Sequence, residues 1–301
     1  MYKEQSVDSA GMLKSIMRLM CLFSLFVFTN DMTGLFFNTS AAIEIVYDVL
    51  HILQYITVLI FIFIHRLDIK KLITGGEKFS VKFLIAAILI GYLTSALGSQ
   101  LDGLMPGVPV AETPYSLRHI LLFMIFAGIM APVFEEIEFR GLLFGCLKGR
   151  IPTVLAILLS SFMFMILHTG GILISTFIVG VFSSIVFLRT KNLLYSMAIH
   201  FAGNSVPVML LGLSLFFQDS GADEVAGMEV ETSWTPETIF LILLPAVLLV
   251  PIFVFVFKKT RHNKTSEQQN KSKETDPSVL VYFIVYFAIC IGSTVIQFLH
   301  G

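Results

Sequence analysis

The sequence is poor in charge. Asp, Glu, Lys and Arg make up 14% of its 301 residues, while 56% are hydrophobic. A soluble domain carries roughly 25% charged residues, so a soluble globular fold is excluded. The apolar residues fall in blocks of about 20, enough to cross a hydrocarbon layer ~30 Å thick. Within those blocks the apolar runs are continuous, with no alternation of period two, which excludes a β-barrel. The net charge of −1 says nothing about nucleic acid, but there is no basic domain and no arginine-rich face, so no nucleic-acid partner is expected. Cysteine is scarce. Cys21, Cys146 and Cys290 lie in or beside apolar runs without metal-ligand spacing and read as buried thiols. The first apolar run follows Lys14 and Arg18, but "FVFTNDM" offers no small-residue cleavage site, so the first span is expected to be retained.

What is present is an all-α polytopic membrane protein of eight to nine transmembrane helices in one bundle, with the lipid bilayer as its solvent. Nine spans can be drawn, at about 15–36, 43–64, 80–98, 118–147, 151–168, 172–188, 192–217, 237–257 and 279–298. The connecting segments alternate in charge. Segments 65–82, 148–150, 189–191 and 258–273 are basic, whereas 30–44, 99–114 and 218–237 contain no Lys or Arg. That alternation predicts a cytosolic N-terminus and nine crossings. Segment 258–278 reads as a polar cytosolic linker. No internal repeat is visible.

One predicted span breaks the apolar rule. "APVFEEIEFRG" (131–141) places Glu135, Glu136, Glu138 and Arg140 inside it. Each buried charge costs roughly 2.5–3.5 kcal/mol on insertion scales, so four cost on the order of 10 kcal/mol. A Leu, Ile or Phe returns only ~0.3–0.6 kcal/mol. The helix therefore needs polar partners, or some of its carboxyls must be neutral. Glu136 and Arg140, four apart with the acid N-terminal, can neutralise each other. Glu135 points about 100° away and has Phe139 at i+4, so it must find a partner elsewhere. Glu138, three residues on, could lie near its face.

Other spans carry groups that could meet it. His168 ends the fifth, and the seventh carries His200 and Asn204, four apart on one face. At 1.5 Å per residue, Glu135 lies about 20 Å from Lys148, His168 about 25 Å from Ile151, and His200 and Asn204 about 14 and 20 Å from Lys191. Depth thus permits three helices to bring these four side chains together. His51, near Glu44 and Asp48, has no motif partner and reads as a structural histidine.

In order and spacing, "EEIEFR" (E-E-x-x-x-R), "FMILH" (F-x-x-x-H) and "HFAGN" (H-x-x-x-N) resemble the CPBP intramembrane proteases, the family of CaaX prenyl endopeptidases and bacterial Abi-type proteins. Glu138 departs from that family, which usually has an apolar residue there. The resemblance covers 118–210 and implies a protease core there. It leaves 1–117 and 211–301 as flanking transmembrane helices with an acidic outer loop and a basic cytosolic linker. It further implies an intramembrane endopeptidase in which Glu135 activates water, His168 helps to hold it, His200 and Asn204 complete the site, and Glu136–Arg140 is structural. Its partner would be a membrane-associated peptide or protein. The chemistry would be CaaX-type processing or, in a bacterial cell membrane, maturation of a secreted peptide or self-immunity against a bacteriocin. Two His and a Glu are also a possible zinc set, at Glu135, His168 and His200. No H-E-x-x-H, G-x-S-G or G-x-G-D is present, so other intramembrane protease classes are not indicated. A non-catalytic scaffold or immunity protein of the same fold is the alternative. A proton-coupled transporter would also use buried acids and histidines, but repeats and matched broken helices are lacking.

Overall fold

In a hydrocarbon layer every backbone N–H and C=O must be satisfied within its own segment, so long apolar runs become helices. The computed structural model describes residues 9–36, 40–75, 79–104, 121–122, 124–148, 150–168, 173–217, 235–259 and 278–300, and contains no strand among them. The helices are α1 (Ser9–Phe36), α2 (Ser40–Ile64), the short α3 (Ile69–Thr74), α4 (Val81–Asp102), α5 (124–148), α6 (Thr153–Leu167), α7 (Leu173–Thr190), α8 (Leu193–Phe217), α9 (Pro236–Lys259) and α10 (Ser278–His300). Leaving α3 aside, they fall on the nine expected spans. Six (α1, α2, α4, α7, α9 and α10) are long and apolar enough to cross a membrane by length and composition. The apolar α6 has only 15 residues. Most of the expected outer segments and the 258–278 linker lie largely outside the described residues.

The first and last of the described helices meet. α1 packs along α10, where Arg18 Nε donates to the Tyr282 hydroxyl at 2.8 Å and Ser293 donates to Asp31. The Tyr286 hydroxyl ties α10 to α6, donating to Met163 O at 2.6 Å. α2 packs against α1. Cys21 and Cys290 are buried and Cys146 is half-buried, all as free thiols.

α4 organises the other side of the bundle and contacts α7, α8 and α9. Without a hydrophobic drive between helices in lipid, close backbone approach at small residues and interhelical hydrogen bonds supply the attraction. Gly91 lies against the backbone of Ile199 on α8, and Gly98 against that of Ser175 on α7, closer than any Cβ could fit. Ser95 Oγ donates to Gly203 O at 3.0 Å. At the end of α4 the buried Asp102 carboxylate accepts from the backbone N–H groups of Ile174 and Ser175, at 2.6 and 2.9 Å. Those are orphan donors of the first turn of α7, so Asp102 caps a helix 72 residues away.

α5 differs from the uniform helix expected. Residues Met124–Met130 and Ile137–Phe144 are wound as wide π turns around one α turn, Ala131–Glu136. Pro132, which has no N–H to give, stands at the start of that α turn.

Gly98→Ala should lower stability by about 1–3 kcal/mol, because the added methyl meets the Ser175 backbone. Gly203→Ala should be tolerated, since its new Cβ would meet nothing closer than 3.5 Å. Thermal unfolding of both variants in one detergent checks the order.

Candidate functional site

Glu136 and Arg140 form the ion pair expected from their spacing, Oε1 to Nη1 at 2.9 Å, with side chains 0% and 1% exposed. The guanidinium also lies over the Phe164 ring, 4.3 Å from its centroid, a cation–π contact. Gly180 of α7 leaves room for it, since a Cβ there would sit 3.2 Å from Arg140 Nη2.

Phe164 links this pair to both histidines. Its ring meets His168 edge-on at 4.6 Å and His200 at 5.4 Å, and Phe139 at 5.0 Å. A phenyl ring four residues before His168 therefore acts as a spacer between the two imidazoles and the buried cation.

Each imidazole is oriented through Nδ1. His168 follows the last residue of α6 with extended backbone, and its Nδ1–H donates to Phe164 O at 2.9 Å. His200 Nδ1–H donates to Glu136 Oε1 at 3.2 Å, the same oxygen that meets Arg140. A carbonyl and a paired carboxylate can only accept, so Nδ1 carries a proton in each ring, and in its neutral form each ring presents Nε2 as an acceptor. Both Nε2 atoms face Glu135 Oε2, at 3.7 Å from His168 and 3.8 Å from His200. Those gaps are too long for direct hydrogen bonds. They allow one water oxygen to touch both partners at about 2.8 Å.

Glu135, His168, His200 and Asn204 line one cavity of about 480 Å³. Asn204 Nδ2 donates to Ala127 O at 2.8 Å, a backbone carbonyl of the first π-wound stretch of α5. One amide N–H is thereby used to fix the side chain and the other remains. Glu138 does not line the cavity. It is wholly buried, and neither carboxyl oxygen has a hydrogen-bond partner among the described residues.

The same cavity reaches residues that the motifs do not indicate. α1 and α2 contribute Asn30, Asp31, Tyr47, His51 and Gln54, and α4 and α7 contribute Ser95, Ser99, Ser175 and Thr176. His51 is among them, although no sequence signal tied it to Glu135. Tyr55 anchors this wall to α5, its ring stacked on Phe134 at 4.7 Å and its hydroxyl donating to Phe126 O at 3.3 Å.

The residues as placed do not fit a zinc ion. Ligands about 2.05 Å from a tetrahedral zinc are about 3.3 Å apart, shorter than either Glu–His separation here. Among the described residues no group of three or more His, Cys, Asp or Glu is arranged to hold a metal. The arrangement suits a carboxylate and two imidazoles around a water.

Residues 117–206 match the family model described as Rce1-like, type II CAAX prenyl endopeptidase Rce1-like. The match spans all three motifs and agrees with the family that they resemble. Comparison with curated proteins gave no match, and comparison with solved structures gave none.

Removing one partner of the buried pair, by Glu136→Gln or Arg140→Met, should cost about 3–5 kcal/mol, because the other charge is stranded. Protein abundance in membranes and the unfolding temperature check this. Glu138→Leu should leave stability unchanged or raise it, since it replaces a buried carboxyl without hydrogen bonds by an apolar group of similar size. Loss of stability in that variant would show that Glu138 has a partner of its own.

Proposed function

We propose, from the premise that residues 117–206 form an Rce1-like core, that this multi-pass membrane protein is an intramembrane endopeptidase in which Glu135 activates water. The family match supports a protease in a membrane, and the helices support an integral membrane protein. The observation that carries the mechanism is the approach of two oriented imidazole Nε2 atoms to one carboxylate oxygen within a cavity.

In this reading a water lies between Glu135 Oε2 and the imidazoles. His168 Nε2 accepts one of its hydrogens and turns a lone pair toward the scissile carbonyl. His200, fixed by Glu136, closes the other side. Glu135 takes the second proton as the water oxygen bonds to the carbonyl carbon. The free N–H of Asn204 donates to the oxyanion that forms. The C–N bond then breaks, and Glu135 returns its proton to the leaving nitrogen. No step needs a metal.

The substrate class is a peptide or protein held at the membrane. Segment 118–210 carries the chemistry, and the flanking helices supply the rest of the cavity. The short loops between spans favour a bacterial cell membrane, and there maturation of a secreted peptide or bacteriocin self-immunity over processing of prenylated proteins.

Glu135→Gln keeps the side chain's shape and removes the base, so it should abolish cleavage while abundance and unfolding temperature hold. Asn204→Ala should lower the rate about 10²–10³-fold. The test compares peptide termini in membranes and medium of cells lacking the gene, supplied with wild type or Glu135→Gln at matched levels. Termini that depend on Glu135 are the expected result. Identical termini with both forms, each rescuing the phenotype, would mean that the protein acts by binding. A chelator should leave the purified activity unchanged.

A further inference from the structure

Away from the cavity around Glu135, the turn that ends α2 forms a groove of its own. The groove, about 760 Å³, is lined by six apolar side chains, among them Leu59, Phe63 and Ile69, and by one charged residue, Arg66. We propose that it is a binding site for an anionic phospholipid, with an acyl chain along the apolar lining and the headgroup phosphate on the Arg66 guanidinium. The site lies outside the family-matched segment, and its occupation does not depend on the hydrolytic reading of Glu135.

The backbone holds an arginine where glycine is favoured. Leu67 N–H donates to Ile62 O at 3.0 Å and Arg66 N–H to Phe63 O at 3.1 Å. Those two bonds form the Schellman pattern that closes a helix, with Arg66 at the position that must turn left-handed. Its φ is 49°. Glycine takes that conformation freely, whereas a side chain there crowds its own backbone. Nothing within the protein compensates. The Arg66 side chain is exposed and has no ion-pair or hydrogen-bond partner among the described residues. A strained residue that carries an unmatched charge beside a groove points to a ligand. Leu67 and Ile62, the two residues that this kind of cap brings together, both line the groove.

Position and charge fit a phospholipid. The apolar span of α2 closes at Ile64, so Arg66 stands just beyond the hydrocarbon at headgroup level, while Leu59 and Phe63 reach back beside the acyl chains. Leu59, Phe63, Ile64 and Ile69 are exposed, Phe63 by 83%, so the groove faces the bilayer and not the bundle. Segment 65–82 is basic, and the charge alternation assigns it to the cytosolic side, where anionic lipids collect. Lys70 and Lys71 of α3 are exposed nearby and add to the positive potential. The acid of this turn, Asp68, does not line the groove, and its carboxylate caps α3 by accepting from Lys71 N–H at 2.9 Å. An inorganic anion would have no use for the apolar lining. A zwitterionic lipid brings its own cation beside the phosphate, so the anionic headgroup is the better match. α2 packs on α1, and α3 packs on α5 and α8, so a lipid lodged at this corner holds two parts of the bundle together.

The experiment uses the full-length protein in detergent micelles supplied with equal amounts of palmitoyl-oleoyl phosphatidylglycerol and phosphatidylcholine. Native mass spectrometry reads which lipid stays bound, and thermal unfolding is followed with each lipid alone. Wild type is expected to retain phosphatidylglycerol over phosphatidylcholine and to unfold at a higher temperature with the former. Arg66→Gly removes the guanidinium and suits the left-handed turn. It should unfold no earlier than wild type in phosphatidylcholine, and its preference for phosphatidylglycerol should fall on the order of fivefold. Arg66→Lys should keep the preference and Arg66→Gln should lose it, a comparison that needs no glycine. Lys258→Gln removes an exposed cation at the end of α9, away from the groove, and should change nothing. Equal retention of the two lipids by wild type overturns the proposal. So does an equal fall in preference in Lys258→Gln and Arg66→Gly, which would reduce the effect to general surface charge. Millimolar inorganic phosphate should not stabilise the protein; if it does so as well as phosphatidylglycerol, the apolar lining takes no part and the lipid site is overturned. None of these readouts needs turnover, so their failure would leave the proposed hydrolysis untouched.

Discussion

The ion pair of Glu136 and Arg140 is the contact on which the site is built. In water such a pair contributes little; in a hydrocarbon layer neither charge can be left without the other. The pair also does more than cancel charge. One Glu136 oxygen holds both the guanidinium and His200 Nδ1, and the guanidinium rests on the ring that spaces His168 from His200. The orientation of both imidazoles thus depends on a salt bridge that faces away from the cavity. Glu135 next to it is free of that duty, and adjacent acids serve different purposes because successive residues of a helix face different directions.

Backbone geometry supplies the rest of the constraint. Asn204 of α8 donates to Ala127 O, a main-chain carbonyl of the π-wound start of α5. The hydrogen bond both ties α8 to α5 and fixes an amide at the cavity wall. On the opposite side, close approaches at Gly91 and Gly98 bring α8 and α7 against α4, which sets how far Ser175, Thr176 and Gly203 stand from Glu135.

The parts of this arrangement that are local in the chain could be read from the chain. Spans follow from apolar runs, and the Glu136–Arg140 pair follows from a four-residue spacing. The meeting of Glu135, His168 and His200 followed less directly, from depth counts and three short motifs. Phe164 stood in a motif, yet its contact with Arg140 joins two helices and has no signature in either. Asp102 caps a helix 72 residues on, and a lone acid at a span's end carries no sign of that. The π winding of α5 has no signature in the sequence: α9 carries Pro245 and Pro251 and stays an α-helix. The α1–α2 wall was the least legible, because residues such as Asp31 and His51 reach the cavity only when α1 and α2 pack beside helices more than 70 residues away.

α6 is 15 residues long, about 22 Å, and His168 stands immediately beyond its end. A lipid hydrocarbon layer is ~30 Å thick. Lipids beside α6 must thin or tilt to match it, at a cost that grows with each ångström of mismatch. Thinned lipid brings the headgroup region and its water down toward the histidine. For the hydrolysis proposed above, a dimple in the bilayer next to a short helix is a route for the water it would consume. In the proposed reaction, turnover would then vary with acyl-chain length, and the thickness of the host membrane would act on it without touching any side chain in the cavity.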